Sequence, residues 1–474
     1  MQISIRKKKI YSKKRGRKIL RYLKFRKECD EMKKIIKYIL TFCGLFLIFN
    51  VLLFTSSLFP SRLIEKNVKE SSKILTKEDN IYKFFDWCDV VNNNYTDVLM
   101  INEAYSIDNT NPVYSYMAVR KNYEKGLTEN SLPDTNGESI SINSPYYYDP
   151  VGELEDFLDG NIVTSVNYAR YWHGYLPILR PLLIFFNVSQ IRKILLFVFV
   201  ILFVWLIKLL KEKLGIATSI IFAISLIIQG YFFVSYSLES VPVFMVMMIS
   251  SIILLERIDK IKNLYLYIFI IACITNFVDY LTVPLITLGV PLLIYILYKQ
   301  KNDNKLKCKD YIKIIVKASF VWIIGYGITW LSKWIIYDVI YNEGLIKSAI
   351  SQVKYRSESY NEYKTATIQQ IVGILLINNL EYIFFMFDFA IIVLLMMARK
   401  YQVKMKKISV YFQENLPIFL ISLMPFVWYF ALGNHTIMHL RFIYRHMLIF
   451  LIGILICLKN IWIIEKKKKS VTNY

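Results

Sequence analysis

Residues 35–54 read IIKYILTFCGLFLIFNVLLF. Beyond Lys37 the stretch carries no charge, and twenty helical residues rising 1.5 Å each cover the roughly 30 Å hydrocarbon core of a bilayer. Similar runs recur near 194–210, 214–234, 240–255, 263–277, 282–298, 314–332, 380–398, 415–432 and 447–463, about ten in all. They predict an all-α polytopic membrane protein with about ten transmembrane helices. Composition agrees: of 474 residues 55% are hydrophobic and 16% aromatic, more apolar than a soluble chain of this length.

The formal charge of +23 raises the alternative of nucleic-acid binding, but the placement of the charge opposes it. Basic residues collect in 7–18, KLLKEK (208–213), KQKNDNKLKCK (299–309), ARKYQVKMKK (398–407) and EKKKK (465–469), short segments at alternating span ends. Cytoplasmic loops carry that bias. The expected organisation is a basic cytoplasmic tail at 1–34, a first transmembrane helix at 35–57 and an extracytoplasmic loop at 58–190. A multi-span domain at 191–464 and a basic cytoplasmic tail at 465–474 follow. The expected location is the cell membrane, with both termini cytoplasmic, membrane lipid as a partner and no nucleic acid. Met32 opens its own basic-then-apolar start, so residues 1–31 can be an upstream extension, and the run that follows reads as an uncleaved anchor. The six cysteines show no CxxC pair, and only Cys88 falls in the large outer loop, so no disulfide framework is implied.

Residues 58–190 differ in kind from the rest. They hold 18 of the 36 acidic residues against 11 Lys and Arg. A loop this long usually carries function. It reads as a layer of short helices lying on the membrane surface.

Histidine is the chain's rarest clue. Three of four fall in GNHTIMHLRFIYRH (433–446), as His435, His439 and His446, beside Arg441 and Arg445. On a continuous helix the three would share one face with the arginines on its flank. HxxxH is a zinc spacing, but the Glu of HExxH is absent and His446 would lie about 16 Å from His435 along the axis. Two readings stay open: interfacial anchoring to lipid headgroups, or an anion site in which Arg holds a phosphate and His assists. The fourth histidine, His173, lies in NYARYWHGYLPILRPLLIFFN (167–187), where the outer loop re-enters the membrane with Arg170, Trp172 and Arg180. The topology therefore puts all four histidines on the outer side. Acids share that side. Asp97 and Glu103 occur in NYTDVLMINEAYS, Asp86 and Asp89 in FFDWCD are rivals of Asp97, and Asp279 sits in a short turn, where helix capping is the plain alternative. Lys333 is a further candidate cation.

A long first outer loop, many spans, and acids, arginines and histidines gathered on one face resemble the GT-C superfamily of integral membrane glycosyltransferases. The resemblance implies sugar transfer from a polyprenyl-phosphate-linked donor to an envelope glycan or lipid acceptor. It assigns Asp97 as the base and makes Arg441, Arg180 and His435 the cations for the leaving phosphate, with Arg170, Trp172, His173, Asp279, His439 and Arg445 as further binding residues. No resident cofactor is implied, although a divalent cation can share the phosphate's charge. Polymerases or ligases of lipid-linked glycans are one alternative, and a transporter or flippase of lipid-linked oligosaccharide is another. The latter expects internal repeats and mid-membrane charges, which the sequence lacks.

Overall fold

A computed structural model describes residues 2–78, 81–83, 91–123, 150–161, 164–303, 305–358, 367–397 and 401–466. Asp86, Asp89 and most of the turn-rich stretch 131–150 lie outside them. The chain forms two compact units, Met1–Asn50 and Val51–Tyr474. One helix, Gln2–Ser57, runs through the first and ends in the second.

Six helical segments among the described residues are long and apolar enough to cross a membrane: Glu31–Ser57, Val188–Leu214, Cys308–Tyr341, Ile368–Asp388, Ile408–Ala431 and Leu440–Lys459. The other four expected spans are the helices Ile216–Ile228, Val241–Arg257, Leu264–Val278 and Ile286–Asn302, of 13, 17, 15 and 17 residues. At 1.5 Å per residue these cover about 20–26 Å, short of the hydrocarbon core. Apolar composition continued past their ends, but the backbone does not. Gly230, at φ 72°, stops the first of them and turns the chain into the 3-10 segment Tyr231–Tyr236. Leu281, at φ 65°, belongs to the turn that separates the last two.

Val188–Leu214 shows why these segments are helices. Asn187 caps it: its side chain accepts from the Gln190 N–H at 3.1 Å, and Gln190 returns the bond to the Asn187 N–H at 3.0 Å. Gly215, at φ 96°, ends it after the basic turn Lys211–Lys213. Ile191, Leu195, Phe199, Leu202 and Leu206 face inward at helical spacing, while Phe197, Ile201, Val204 and Trp205 stay exposed on the other side. Apolar side chains so exposed fit lipid and not water. The helices Leu264–Val278 and Cys308–Tyr341 pack tightly at Gly325, where an added Cβ would lie 2.9 Å from the Phe269 carbonyl oxygen.

Between the first and second of the long helices lie short helices, Glu65–Glu78, Asn94–Tyr105, Pro112–Ala118, Pro150–Leu158 and Leu176–Phe185. Two antiparallel ribbons, not anticipated from the sequence, join them: Ile81–Lys83 with Val91–Asn93, and Arg120–Tyr123 with Thr164–Asn167 in the register Arg120↔Asn167. A third pairs Tyr401–Met405 with Trp462–Lys466, so the last apolar run leaves its helix at Lys459 and continues as strand. Residues 58–190, where described, belong to the same compact unit as the later helices. Asn94–Tyr105 is buried on nearly every face, including Asp97, Asn102 and Glu103. Buried polar groups need partners, and those partners define the site.

Candidate functional site

The turn 279–285 joins Leu264–Val278 to Ile286–Asn302, and three of the four histidines meet it. His173 Nδ1 lies 2.9 Å from the Tyr280 hydroxyl, His435 Nε2 donates to the Leu281 carbonyl at 2.9 Å, and His446 Nε2 accepts from the Leu285 N–H at 3.4 Å. His439 instead faces Arg356, whose Nη1 donates to His439 Nε2 at 3.2 Å and to His435 Nδ1 at 2.7 Å. Burial, aided by the charges of His439 and Arg356, pushes His435 well below the ordinary imidazole range. It is therefore neutral, with Nε2 as donor and Nδ1 as acceptor.

A continuous helix over 433–446, on which the three histidines would share a face, is not formed. Gly433–Met438 ends at His439, Leu440–Ile443 follows, and Tyr444–His446 is a 3-10 turn. The shared histidine face was a property of a straight helix. The break instead sends Arg445 and His446 into the core and leaves Arg441 exposed.

Two backbone positions brace the turn. His173 and Leu281 both adopt left-handed φ, 56° and 65°, which is uncommon for residues with a side chain. Between them Gly174 donates its N–H to the Phe277 carbonyl at 2.9 Å, and a Cβ there would lie 2.4 Å from that oxygen. Gly174→Ala should therefore lower stability by about 1–3 kcal/mol through enforced backbone shift. Thermal unfolding of the purified chain checks this, and an unchanged melting temperature would contradict the close packing.

Glu103 gathers the loop onto this turn. Its Oε2 accepts from the Tyr175 hydroxyl at 2.5 Å and from the Tyr280 hydroxyl, with His173 Nδ1 at 3.2 Å. His173 Nε2 lies 2.8 Å from the Tyr168 carbonyl. Asp279 holds the turn from inside: Oδ1 accepts from the Thr282 N–H and hydroxyl at 2.9 and 2.8 Å, and Oδ2 from the Tyr326 hydroxyl at 3.0 Å. Local turn-making accounts for one of its oxygens and the neighbouring helix for the other. Burial nonetheless raises Asp279 to about 6.

One helical turn and a half before Glu103, Asp97 meets a cation that sequence reading missed. Arg192, 2% exposed, donates from Nη2 to Asp97 Oδ2 at 3.2 Å and to Asn94 Oδ1 at 3.0 Å, and from Nη1 to Glu78 at 2.7 and 3.0 Å. Burial outweighs the guanidinium and, with the charge of Glu239 added, raises Asp97 to about 7. Glu239 is raised too, first by burial and also by Asp279, against the pull of Arg445. Arg445 Nη1 donates to Ser240 Oγ at 3.3 Å. Among the described residues, Asp97 Oδ1 and Glu239 Oε2 are buried without a hydrogen-bond partner. The arrangement is thus a pair of protonatable carboxylates flanked by two guanidinium groups. A carboxylate poised near neutral pH can take a proton and return it.

The remaining expected residues have other surroundings. Arg180, fully buried, donates to the carbonyls of Ser56, Phe59 and Ala104 and to Ser61 Oγ, so it ties the end of the first long helix to the loop. Trp172 donates from Nε1 to the Thr329 carbonyl at 2.8 Å. Arg170 offers its carbonyl to Trp330 and Trp334 Nε1 at 2.6 and 3.0 Å, and its guanidinium lies 5.2 Å from the Tyr168 ring centre. Lys333 caps the carboxyl end of Pro112–Ala118, donating to the Met117 carbonyl at 2.7 Å. No group of three or more His, Cys, Asp or Glu among the described residues is placed to hold a metal ion. The rule that drew attention to Arg180, a lone arginine at the edge of an apolar run, applies equally to Arg192, and Glu239 is the lone acid of SYSLES (235–240).

An apolar groove of about 390 Å³ is lined by neighbours of these carboxylates in the chain, the carboxylates themselves not being part of its wall. Leu195, Met245, Ile249 and Ile253 line it together with Met100, Tyr175 and Leu238. Met100 lies between Asp97 and Glu103 on one helix, Leu238 precedes Glu239, and Tyr175 bonds Glu103. From Val241 to Ile253 the groove follows its helix for about 18 Å. Comparison of the chain with known protein families, with curated proteins and with solved structures finds no match.

Proposed function

We propose that the protein is a membrane glycosyltransferase of the GT-C kind, moving a sugar from a polyprenyl-phosphate donor to an envelope glycan or lipid acceptor. The observation that supports the reading is an apolar groove, lined by membrane-type helices, whose lining residue Met100 lies one helical turn from Asp97, a buried carboxylate raised to about 7 beside a guanidinium. A polyprenyl chain matches the groove, and Arg445, whose Nε is buried without a partner among the described residues, is the cation for its phosphate. Asp97 Oδ1 takes the proton of the acceptor hydroxyl as that oxygen bonds the anomeric carbon. The bond from the anomeric carbon to the phosphate oxygen breaks, and the phosphate leaves with the electron pair. Arg445 takes the role first given to Arg441, whose side chain is exposed.

In this reading the four shorter helices join the six long ones as ten spans. Both termini are cytoplasmic, residues 58–190 lie outside the cell membrane, and Asp97, Glu239, Asp279 and His435 share the outer face. The basic segments at the opposite helix ends support that orientation. Deleting the gene should remove an envelope glycan while its polyprenyl-linked sugar donor accumulates, a pattern read by lipid extraction and mass spectrometry. Unchanged glycan and donor pools would refute the proposal. Accumulation of a completed lipid-linked oligosaccharide would assign the chain to transport instead.

A further inference from the structure

Where Val188–Leu214 and Ile286–Asn302 end lies a second cavity, of about 970 Å³. It is lined by Lys301, Lys307, Lys309 and Lys459 against the acids Asp303 and Glu414. Glu414 is already neutralised by Lys406, 2.5 Å away. The lysines meet only neutral oxygens among the described residues where bonds are formed: Lys459 Nζ donates to Thr218 Oγ1 at 3.2 Å and Lys301 Nζ to the Lys213 carbonyl at 3.0 Å. Lys459 also lies within electrostatic range of Lys301 and Lys406. Cations so grouped repel one another until an anion joins them.

Part of the lining is apolar. Leu214, Leu297 and Leu306 sit where Val188–Leu214 and Ile286–Asn302 end. We infer that this basin binds the phosphate-bearing headgroup of an anionic membrane lipid. Its cations meet the phosphate, and its leucines meet the first methylenes of the acyl chains. Basic pockets between helix ends suit such headgroups, whereas a free phosphate would leave the leucines unused. The site is separate from the groove and does not depend on the transferase reading.

The test uses the full chain in detergent, titrated with phosphatidylglycerol or phosphatidylcholine and read by native mass spectrometry, with inorganic phosphate as competitor. Phosphatidylglycerol should be retained in preference. Lys309→Gln with Lys459→Gln should weaken it about thirtyfold, each lysine near an anionic headgroup being worth about fivefold. Lys309→Arg with Lys459→Arg should retain it, and the lipid-free melting temperatures of both variants should match the wild type. Equal retention of phosphatidylcholine, or undiminished phosphatidylglycerol binding by the glutamine variant, would overturn the proposal. Displacement of the lipid by millimolar inorganic phosphate would show that the basin takes a free anion and would overturn the lipid assignment.

Discussion

Asp97→Asn should stop transfer while leaving the donor bound and accumulating. Asparagine keeps the size of the side chain and can still accept from Arg192, so packing changes little, but it cannot take the acceptor's proton. General-base loss of this kind costs about 10²–10⁴-fold in rate. The pH dependence should follow. With Asp97 raised to about 7, wild-type activity should rise with pH through that value and fall away below it, because only the ionised carboxylate is a base. Stability should move the other way. A carboxyl raised from its ordinary 3.8 favours the folded state at low pH, and that contribution is lost as pH climbs toward about 7. Asp97→Asn should abolish the activity limb near 7 and flatten that part of the stability curve. Retained transfer in the variant would remove Asp97 as the base and leave Glu239 as the nearest carboxylate to try.

Arg192→Ala carries the largest expected loss of stability. The guanidinium links Glu78, Asn94 and Asp97, three side chains from two helices of the 58–190 segment, to the start of Val188–Leu214. Removing it leaves a buried carboxylate with no cation, and breaking a buried pair in this way costs about 3–5 kcal/mol. Asp97 should then rise further and remain protonated across neutral pH, since the guanidinium is the main influence holding it down. Arg192→Ala should therefore lose fold and activity together, and Arg192→Lys should restore part of each because it keeps one charge but loses the fork. Unfolding by heat in detergent, followed by tryptophan fluorescence, separates the variants. A melting temperature unchanged in Arg192→Ala would show that the cluster contributes nothing to holding the loop on the bundle.

The helical, membrane-type architecture was legible in the sequence because apolar length needs no tertiary information. Where helices stop was less so. Gly230 and Leu281 end or separate helices inside stretches that stay apolar, and only the backbone reveals them. The same limit applied at 433–446, where a straight helix put three histidines on one face and the real chain breaks at His439. Of the clustered histidines, His435 and His446 bond the 279–285 turn and His439 faces Arg356. Asp97 and Asp279 could be named from isolation of charge in apolar surroundings, and Arg445 from its place in the histidine cluster. Their partners could not, because Arg192 is 95 residues from Asp97 and Ser240 is 205 from Arg445, and no local pattern encodes such pairings. Two ribbons of three and four residues were invisible for a similar reason, since strands that short are fixed by their partner more than by their own composition.

On the proposed function, the groove lined by Met100, Leu195 and Met245 receives the chain of a polyprenyl phosphate. Photolabelling reads this out. The purified full-length chain would be irradiated with a polyprenyl phosphate bearing a diazirine on its second or third isoprene unit, and the labelled peptides mapped by mass spectrometry. Label is expected on Leu195, Met245 or Ile249, competed away by unlabelled polyprenyl phosphate and reduced by Met245→Trp, which fills the groove. Label spread over the lipid-exposed faces around Phe197 and Phe320 instead, undiminished by competitor or by Met245→Trp, would contradict it.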